Sequence, residues 1–134
     1  MDVIFLDANV LFSAAHRPEA RVRQLWELQD VVLVTSAYTV EEARRNLEDP
    51  QRRIELERLL QKVKVETITP VNRSLLPSIN LPDKDLPVLL AAIDTKATHL
   101  LTGDLHHFGP YYGQTVEGVL VLPPGEYLRV HSRR

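Results

Sequence analysis

Four acids stand where this 134-residue chain changes from one element to the next: Asp7, Glu42, Asp85 and Asp104. Asp7 closes the apolar run Val3-Ile4-Phe5-Leu6, and Asp104 follows another run, Leu100-Leu101-Thr102, by one glycine. Asp85 opens a helical pattern, and Glu42 lies within one, a single position off its apolar stripe. If the apolar runs are neighbouring parallel strands, their carboxyl ends share one edge of a sheet with helix N-termini, which is where open α/β sheets hold ligands. Carboxylates crowded at that edge repel and raise one another's pKa. A hard divalent cation removes the repulsion, and Mg²⁺ and Mn²⁺ prefer carboxylate and water oxygens. The chemistry such a site offers is hydrolysis. A water oriented by a carboxylate attacks a phosphodiester, and a second ion about 3.5–4 Å away stabilises the leaving oxygen.

Each acid taken alone has a simpler use. Asp7 or Asn9 caps the turn that follows. Glu42, like its neighbour Glu41, decorates a solvated helix face. Asp85 sits at or beside an N-cap, with Asp83 as a competitor, and Asp104 after Gly103 suits a turn. The order and placement of all four carry the metal reading.

The elements that must position these acids are legible from spacing. An apolar run as short as Val3–Leu6 suits a strand buried on both faces of a parallel sheet. A short helix is predicted over 8–15. An amphipathic one over 19–29 follows Pro18, with Val22, Leu25 and Trp26 at i, i+3, i+4. Residues 31–34 predict a second strand, and Ser36 a cap for a helix over 37–47 with the stripe Val40, Ala43, Leu47. Pro50 begins a further helix, residues 63–69 alternate as an edge strand, and 71–82 reads as loop with one turn near Ser74–Leu76. Leu86, Leu89, Leu90, Ile93 and Ala97 have helical spacing, with Pro87 tolerated in the first turn. Residues 99–102 predict a third buried strand, 105–113 a polar loop, and 119–122 the last strand. A short turn at 126–128 precedes a frayed tail at 129–134. Strands alternating with amphipathic helices predict an α/β fold, a three-layer α/β/α sandwich around a central parallel sheet, in a single domain over 1–134.

Composition narrows the class. Hydrophobic residues at 44% and charged residues at 25% are ordinary for a soluble globular protein. With no cysteine, disulfides and thiolate metal sites are excluded. No apolar run approaches the roughly 18 residues that span a bilayer, and Met1-Asp2 lacks the basic start of a secretory signal, so a cytoplasmic protein without a membrane anchor is expected. Sixteen basic against 18 acidic residues, a net charge of −2, argues against binding nucleic acid by bulk charge. A local basic rim is still compatible with that balance.

Four stretches in order resemble the motifs of the PIN domain, the ribonuclease fold of VapC-type toxins and of several RNA-processing nucleases. Leu6-Asp7-Ala8-Asn9-Val10-Leu11-Phe12 resembles its opening motif, and Ser36 through Leu47 the helix that bears its glutamate, which falls on Glu42. Lys84-Asp85-Leu86-Pro87-Val88 resembles the third acidic motif, and Leu101-Thr102-Gly103-Asp104 with Phe108 the fourth. The closing Gly118-Val119-Leu120-Val121-Leu122-Pro123 with Glu126-Tyr127-Leu128 is similar to one bacterial branch. The resemblance implies Mg²⁺- or Mn²⁺-dependent cleavage of RNA, with Asp7, Glu42, Asp85 and Asp104 holding the metal and doing the chemistry. Asn9 and Thr102 would orient these acids by hydrogen bonds. For a toxin, an antitoxin that blocks the acidic cleft is implied. A homodimer is also implied, for which the apolar residues around Leu56–Val63 offer a face.

Other residues have weaker claims. Arg44 and Arg45, with Arg52 and Arg53, would form a phosphate-binding rim, although water-facing helices carry arginines anyway. His106 and His107 would touch RNA, yet a pair of solvent histidines is the simpler reading, and an acid-rich site selecting a hard ion makes them poor metal ligands. Tyr111 and Tyr112 would stack a base or pack their loop. Trp26 and His99 read as packed residues. Two rival functions remain. A haloacid-dehalogenase-type phosphatase also places an Asp after its first strand, but needs an acid where Asn9 stands. A non-catalytic domain would bind RNA or a protein partner.

Overall fold

The opening apolar run forms the strand at the middle of the sheet, β1 (Asp2–Leu6), in a computed structural model that describes residues 1–67 and 79–133. Side chains alternate across a strand, so one face of β1 offers Ile4 and Leu6 and the other Phe5. All three are fully buried, in two separate apolar clusters on opposite faces of the sheet. Helices therefore cover both faces, and the three-layer α/β/α arrangement follows.

β1 is followed by α1 (Ala8–His16), β2 (Val31–Ser36), α2 (Ala37–Asn46), α3 (Pro50–Leu60) and β3 (Lys64–Glu66). After the segment outside the described residues come α4 (Leu86–Asp94), β4 (His99–Leu101), α5 (Leu105–Phe108), β5 (Thr115–Val116), β6 (Val119–Leu122) and α6 (Pro124–His131). Ser36 caps α2 by accepting the Thr39 N–H at 3.2 Å, and Asp49 caps α3 ahead of Pro50. Such caps satisfy backbone donors that the first helical turn leaves open. No helix among the described residues is long and apolar enough to cross a membrane.

The strand order is β3-β2-β1-β4-β6-β5. The chain lays β2 and β3 outward on one side of β1, then returns to add β4 and β6 on the other. The crevice where the winding reverses lies between β1 and β4, paired in parallel with Leu6 beside Leu101. That register sets Asp7 next to Thr102.

Several expectations need correction. The sheet is mixed, because β5 pairs antiparallel with β6. The two strands join through Glu117 and Gly118, both at positive φ (48° and 86°), the backbone of a tight hairpin turn. A two-residue strand is too short to show alternation in sequence. The region expected as polar loop holds α5 and a 3₁₀ turn, Gly109–Tyr111. The helix expected over 19–29 is 3₁₀, Arg21–Glu27, and Ala20 before it supplies no side-chain cap. Its Trp26 ring nitrogen donates to the Leu59 carbonyl at 3.0 Å, which pins the segment to α3. The terminal turn is longer than expected. α6 runs to His131, whose ring bonds Asp30 at 2.9 Å, while buried Tyr127 donates to Asp2 at 2.6 Å. The turn expected near Ser74–Leu76 lies outside the described residues.

The dimer face expected at Leu56–Val63 is already used. Leu56, Leu59 and Val63 are buried in the cluster beneath α1, and Ile54 is the α3 apolar residue left in water, 60% exposed. Leu56→Ala should lower unfolding free energy by about 2–5 kcal/mol, because it opens a cavity in a closed core. Ile54→Ala should change it by less than about 0.5 kcal/mol. Denaturant unfolding of the two variants checks this contrast.

Candidate active site

Asp7 emerges from β1 and is 4% exposed. Its Oδ1 accepts the Ala8 N–H at 2.7 Å, so it does begin α1 as a cap. Its Oδ2 accepts the Thr102 hydroxyl at 2.8 Å and the Asn9 amide at 3.2 Å. Cap and site are thus served by different oxygens of one carboxylate. Thr102 Oγ1 in turn accepts from Asn9 Nδ2 at 3.2 Å and from the Asp104 N–H at 3.1 Å, which uses its one proton and both lone pairs. Asn9 Oδ1 accepts the Gly103 N–H at 2.7 Å. A Cβ on Gly103 would stand 3.3 Å from that Asn9 oxygen, so glycine is what lets the two strand ends close up. Asn9 and Thr102 therefore lie between Asp7 and the loop that carries Asp104.

Asp104 caps α5, accepting the His107 N–H at 3.1 Å. Asp85 occupies the N-cap position of α4 but makes no capping bond. Its simpler reading fails, and its 7%-exposed carboxylate faces the site instead. Asp83, the competitor, is exposed and does not line the site. Glu42 is half-buried on α2. Asp7, Glu42, Asp85 and Asp104 line one cavity of about 360 Å³ at the carboxyl edge of the sheet.

The electrostatics are those of crowded acid. Burial pushes Asp7 up from 3.8 to about 6, and the charges of Glu42 and Asp85 add to the rise, while the Thr102 and Ala8 hydrogen bonds oppose it. Burial raises Asp85 as well, with His107 lowering it and Asp104 raising it. Asp85 Oδ2 is buried, with the His107 ring nitrogen 2.8 Å away. Buried carboxylates crowded on one cavity wall are costly, and a divalent cation there would compensate their charge. The oxygen-rich donor set fits a hard ion such as Mg²⁺ or Mn²⁺.

The secondary residues divide. Arg44 is held between Glu41 (2.7 Å) and Glu57 (2.6 Å), so its charge is already engaged on the helix surface. Arg45 is exposed and does not line the cavity. His106 is exposed, as expected of a solvent histidine. His107 corrects that expectation: its Nδ1 lies 2.8 Å from Asp85 Oδ2 and 3.0 Å from Asp104 Oδ2. Tyr111 and Tyr112 pack against the core, their hydroxyls bonding Asn80 N and the Thr102 carbonyl. Sequence reasoning missed Phe12, Asn46 and Lys84 in the cavity wall. Asn46 stands at i+4 from Glu42 on the same helix face, a spacing that could have revealed it. Tyr38, on the first turn of α2, donates to the Lys84 carbonyl at 2.9 Å and ties α2 to the approach to Asp85.

Thr102→Val keeps shape but takes from the buried Asp7 Oδ2 its shorter donor and from the Asp104 N–H its acceptor. It should cost about 2 kcal/mol or more in denaturant unfolding. Asp7 titration has the opposite sign from a salt-bridged carboxylate. Its folded pKa lies above its unfolded one, so the metal-free fold is favoured below pH 3.8 and loses that advantage as pH rises to about 6. The stability of wild type relative to Asp7→Asn, measured in chelator, should fall by about 3 kcal/mol across that window. Excess Mn²⁺ should restore wild type above it.

The family model described as "PIN domain" matches residues 3–106. No curated protein matches the sequence significantly. Among solved structures, the chain is similar to one in the crystal structure of VapBC2 from Rickettsia felis bound to a DNA fragment from its promoter. Identity there is 15%, the TM-score 0.69, and the match covers 90% of this chain and 98% of that one. It is similar also to a chain of VapBC-1 from nontypeable Haemophilus influenzae, at 17% identity and TM-score 0.59, covering 92% of this chain and 98% of that one. These likenesses show the same fold, and the match of the model across most of the chain, together with the acid-lined cavity at the crevice between β1 and β4, makes this chain a member of the PIN domain family.

Proposed function

We propose that the chain is a divalent-metal-dependent endoribonuclease acting on cytoplasmic RNA, of the toxin-like PIN group. The observation that carries this reading is the meeting of Asp7, Glu42, Asp85 and Asp104 on one cavity wall, a charge density that calls for a cation. These four acids would hold Mg²⁺ or Mn²⁺. A bound divalent ion supplies Lewis-acid stabilisation of the phosphate and a more acidic water. Asp7, fixed by Thr102, Asn9 and the Ala8 N–H, keeps its position at the strand end before substrate arrives, so little reorganisation is needed. Glu42, which enters from the helix side, would complete the set of acids that holds the ion and its water. Lys84 on the cavity wall offers a cation to the phosphate backbone. Arg45 and the exposed His106 supply outer contacts to the same strand, and Arg44 does so only by leaving its two glutamates.

The phosphatase alternative is disfavoured by Asn9, whose amide donates to Asp7 where a second acid would be required. A protein partner belongs to the same reading: the two solved structures named above are of VapBC assemblies, and an antitoxin segment that fills the acidic cavity would silence the enzyme.

Wild type with Mn²⁺ or Mg²⁺ should cut single-stranded or structured RNA, and chelator should stop it. Asp7→Asn and Asp104→Asn should each lose at least about 10²-fold in rate, the scale expected when a group acting as part of a catalytic unit is removed. Asn retains capping ability at both positions, so both variants should fold. A folded, metal-loaded wild type that leaves a broad RNA panel intact would refute the nuclease reading. Release of phosphate from small monoesters would favour the phosphatase.

A further inference from the structure

His107 stands where a reading of four acids has no use for it. Asp104 caps α5, and the residue three positions on lies one turn away, so the backbone N–H of His107 bonds Asp104 Oδ1 while its ring turns back over the same carboxylate. Asp85 arrives from the other side, at the start of α4. One ligand atom from each of Asp85, Asp104 and His107 lies within 4.8 Å of the other two. Asp85 adds an independent sign. Its Oδ2 is buried, and the polar atom that faces it is His107 Nδ1, 2.8 Å away. The same ring nitrogen lies 3.0 Å from Asp104 Oδ2, so it stands between the two carboxylates and close enough to share a ligand with both. His106, its neighbour, is exposed and meets the His107 ring at 4.8 Å between centroids.

We propose that His107 Nδ1 is a protein ligand of the divalent metal held by Asp85 and Asp104, and that this nitrogen makes the site favour Mn²⁺ over Mg²⁺. Mg²⁺ demands near-octahedral oxygen coordination and gives up its waters reluctantly. First-row transition ions gain more from an imidazole than Mg²⁺ does. To bind, the ring carries its proton on Nε2 and turns the Nδ1 lone pair to the metal. The inference rests on the metal-dependent reading of the cavity and narrows it, from any hard ion to one that tolerates a mixed nitrogen and oxygen donor set.

The test uses the full chain with Mn²⁺ and with Mg²⁺ alone. Pulsed electron paramagnetic resonance of the Mn²⁺-loaded wild type should show nitrogen modulation from a directly bound imidazole. His106→Gln should keep that modulation and His107→Gln should lose it. By calorimetry His107→Gln should weaken Mn²⁺ binding at least about tenfold and Mg²⁺ binding by less than about twofold. Absence of nitrogen modulation in the Mn²⁺-loaded wild type overturns the proposal, and this measurement stands even if the variant folds poorly. Equal weakening of both metals in a folded variant also overturns it, since that is the result of a residue that only holds the two carboxylates in place. RNA cleavage is read separately. Nitrogen modulation without cleavage supports the ligand and refutes the nuclease, whereas Mn²⁺-dependent cleavage without modulation does the reverse.

Discussion

A carboxylate buried at the end of the central strand is the constraint that shapes the rest of the molecule. Burial disfavours the charge of Asp7 there, and its largest counterweight comes from 95 positions away in sequence, as the hydroxyl of Thr102. For that bond to form, β4 must return from the far side of the chain and pair with β1 in one register only. A slip of one residue would turn Thr102 to the opposite face. Thr102 then accepts from Asn9 and from the Asp104 N–H, so the same hydroxyl that holds the first acid also sets the loop of the fourth. Gly103 lets the loop approach Asn9 closely enough to close this network.

Stability and site chemistry pull against each other around this network. The core on either face of β1 is apolar and closed, with Ile4 and Leu6 on one side and Phe5 on the other. At its carboxyl edge the fold gathers carboxylates whose burial, with a smaller contribution from the acids beside them, raises their affinity for protons. Interior burial holds the edge together while the edge itself favours neutralisation. Some of the acids are partly compensated by local structure: Asp7 and Asp104 each spend one oxygen on a helix cap. Asp85 makes no capping bond, and its buried Oδ2 faces the His107 ring nitrogen instead, 2.8 Å away.

Much of this was legible before any tertiary contact was known, and the reason is that the signals are local. Val3 to Leu6 reads as a doubly buried strand, and the Val40, Ala43, Leu47 stripe as the inner face of α2; all three stripe residues are buried. Ser36 reads as a cap and is one. Each depends on residues within one or two turns of each other. Where sequence reasoning missed, the deciding partners were distant or the element was too short to carry a period. The β5 strand has two residues, and α5 has four. Leu56 and Val63 read as free apolar surface because nothing in their own neighbourhood says that α1 lies across them. Arg44 read as available until Glu57, on the next helix, took its charge.

The order of the longer strands and helices, the faces they bury, the three places where an acid meets an element boundary and the position of Glu42 within α2 were determined by the sequence itself. Local backbone preference and hydrophobic periodicity act over a few residues and need no partner to be seen. Which of those acids meet, and with what, was decided by tertiary structure. Strand order brings β4 to β1, and helix packing turns Asp85, rather than Asp83, into the cavity. The turn begun by Asp104 carries His107 back to Asp85, one of two adjacent histidines that are indistinguishable in sequence. Side-chain direction depends on the register and packing of elements far apart along the chain, and local spacing carries no information about that register.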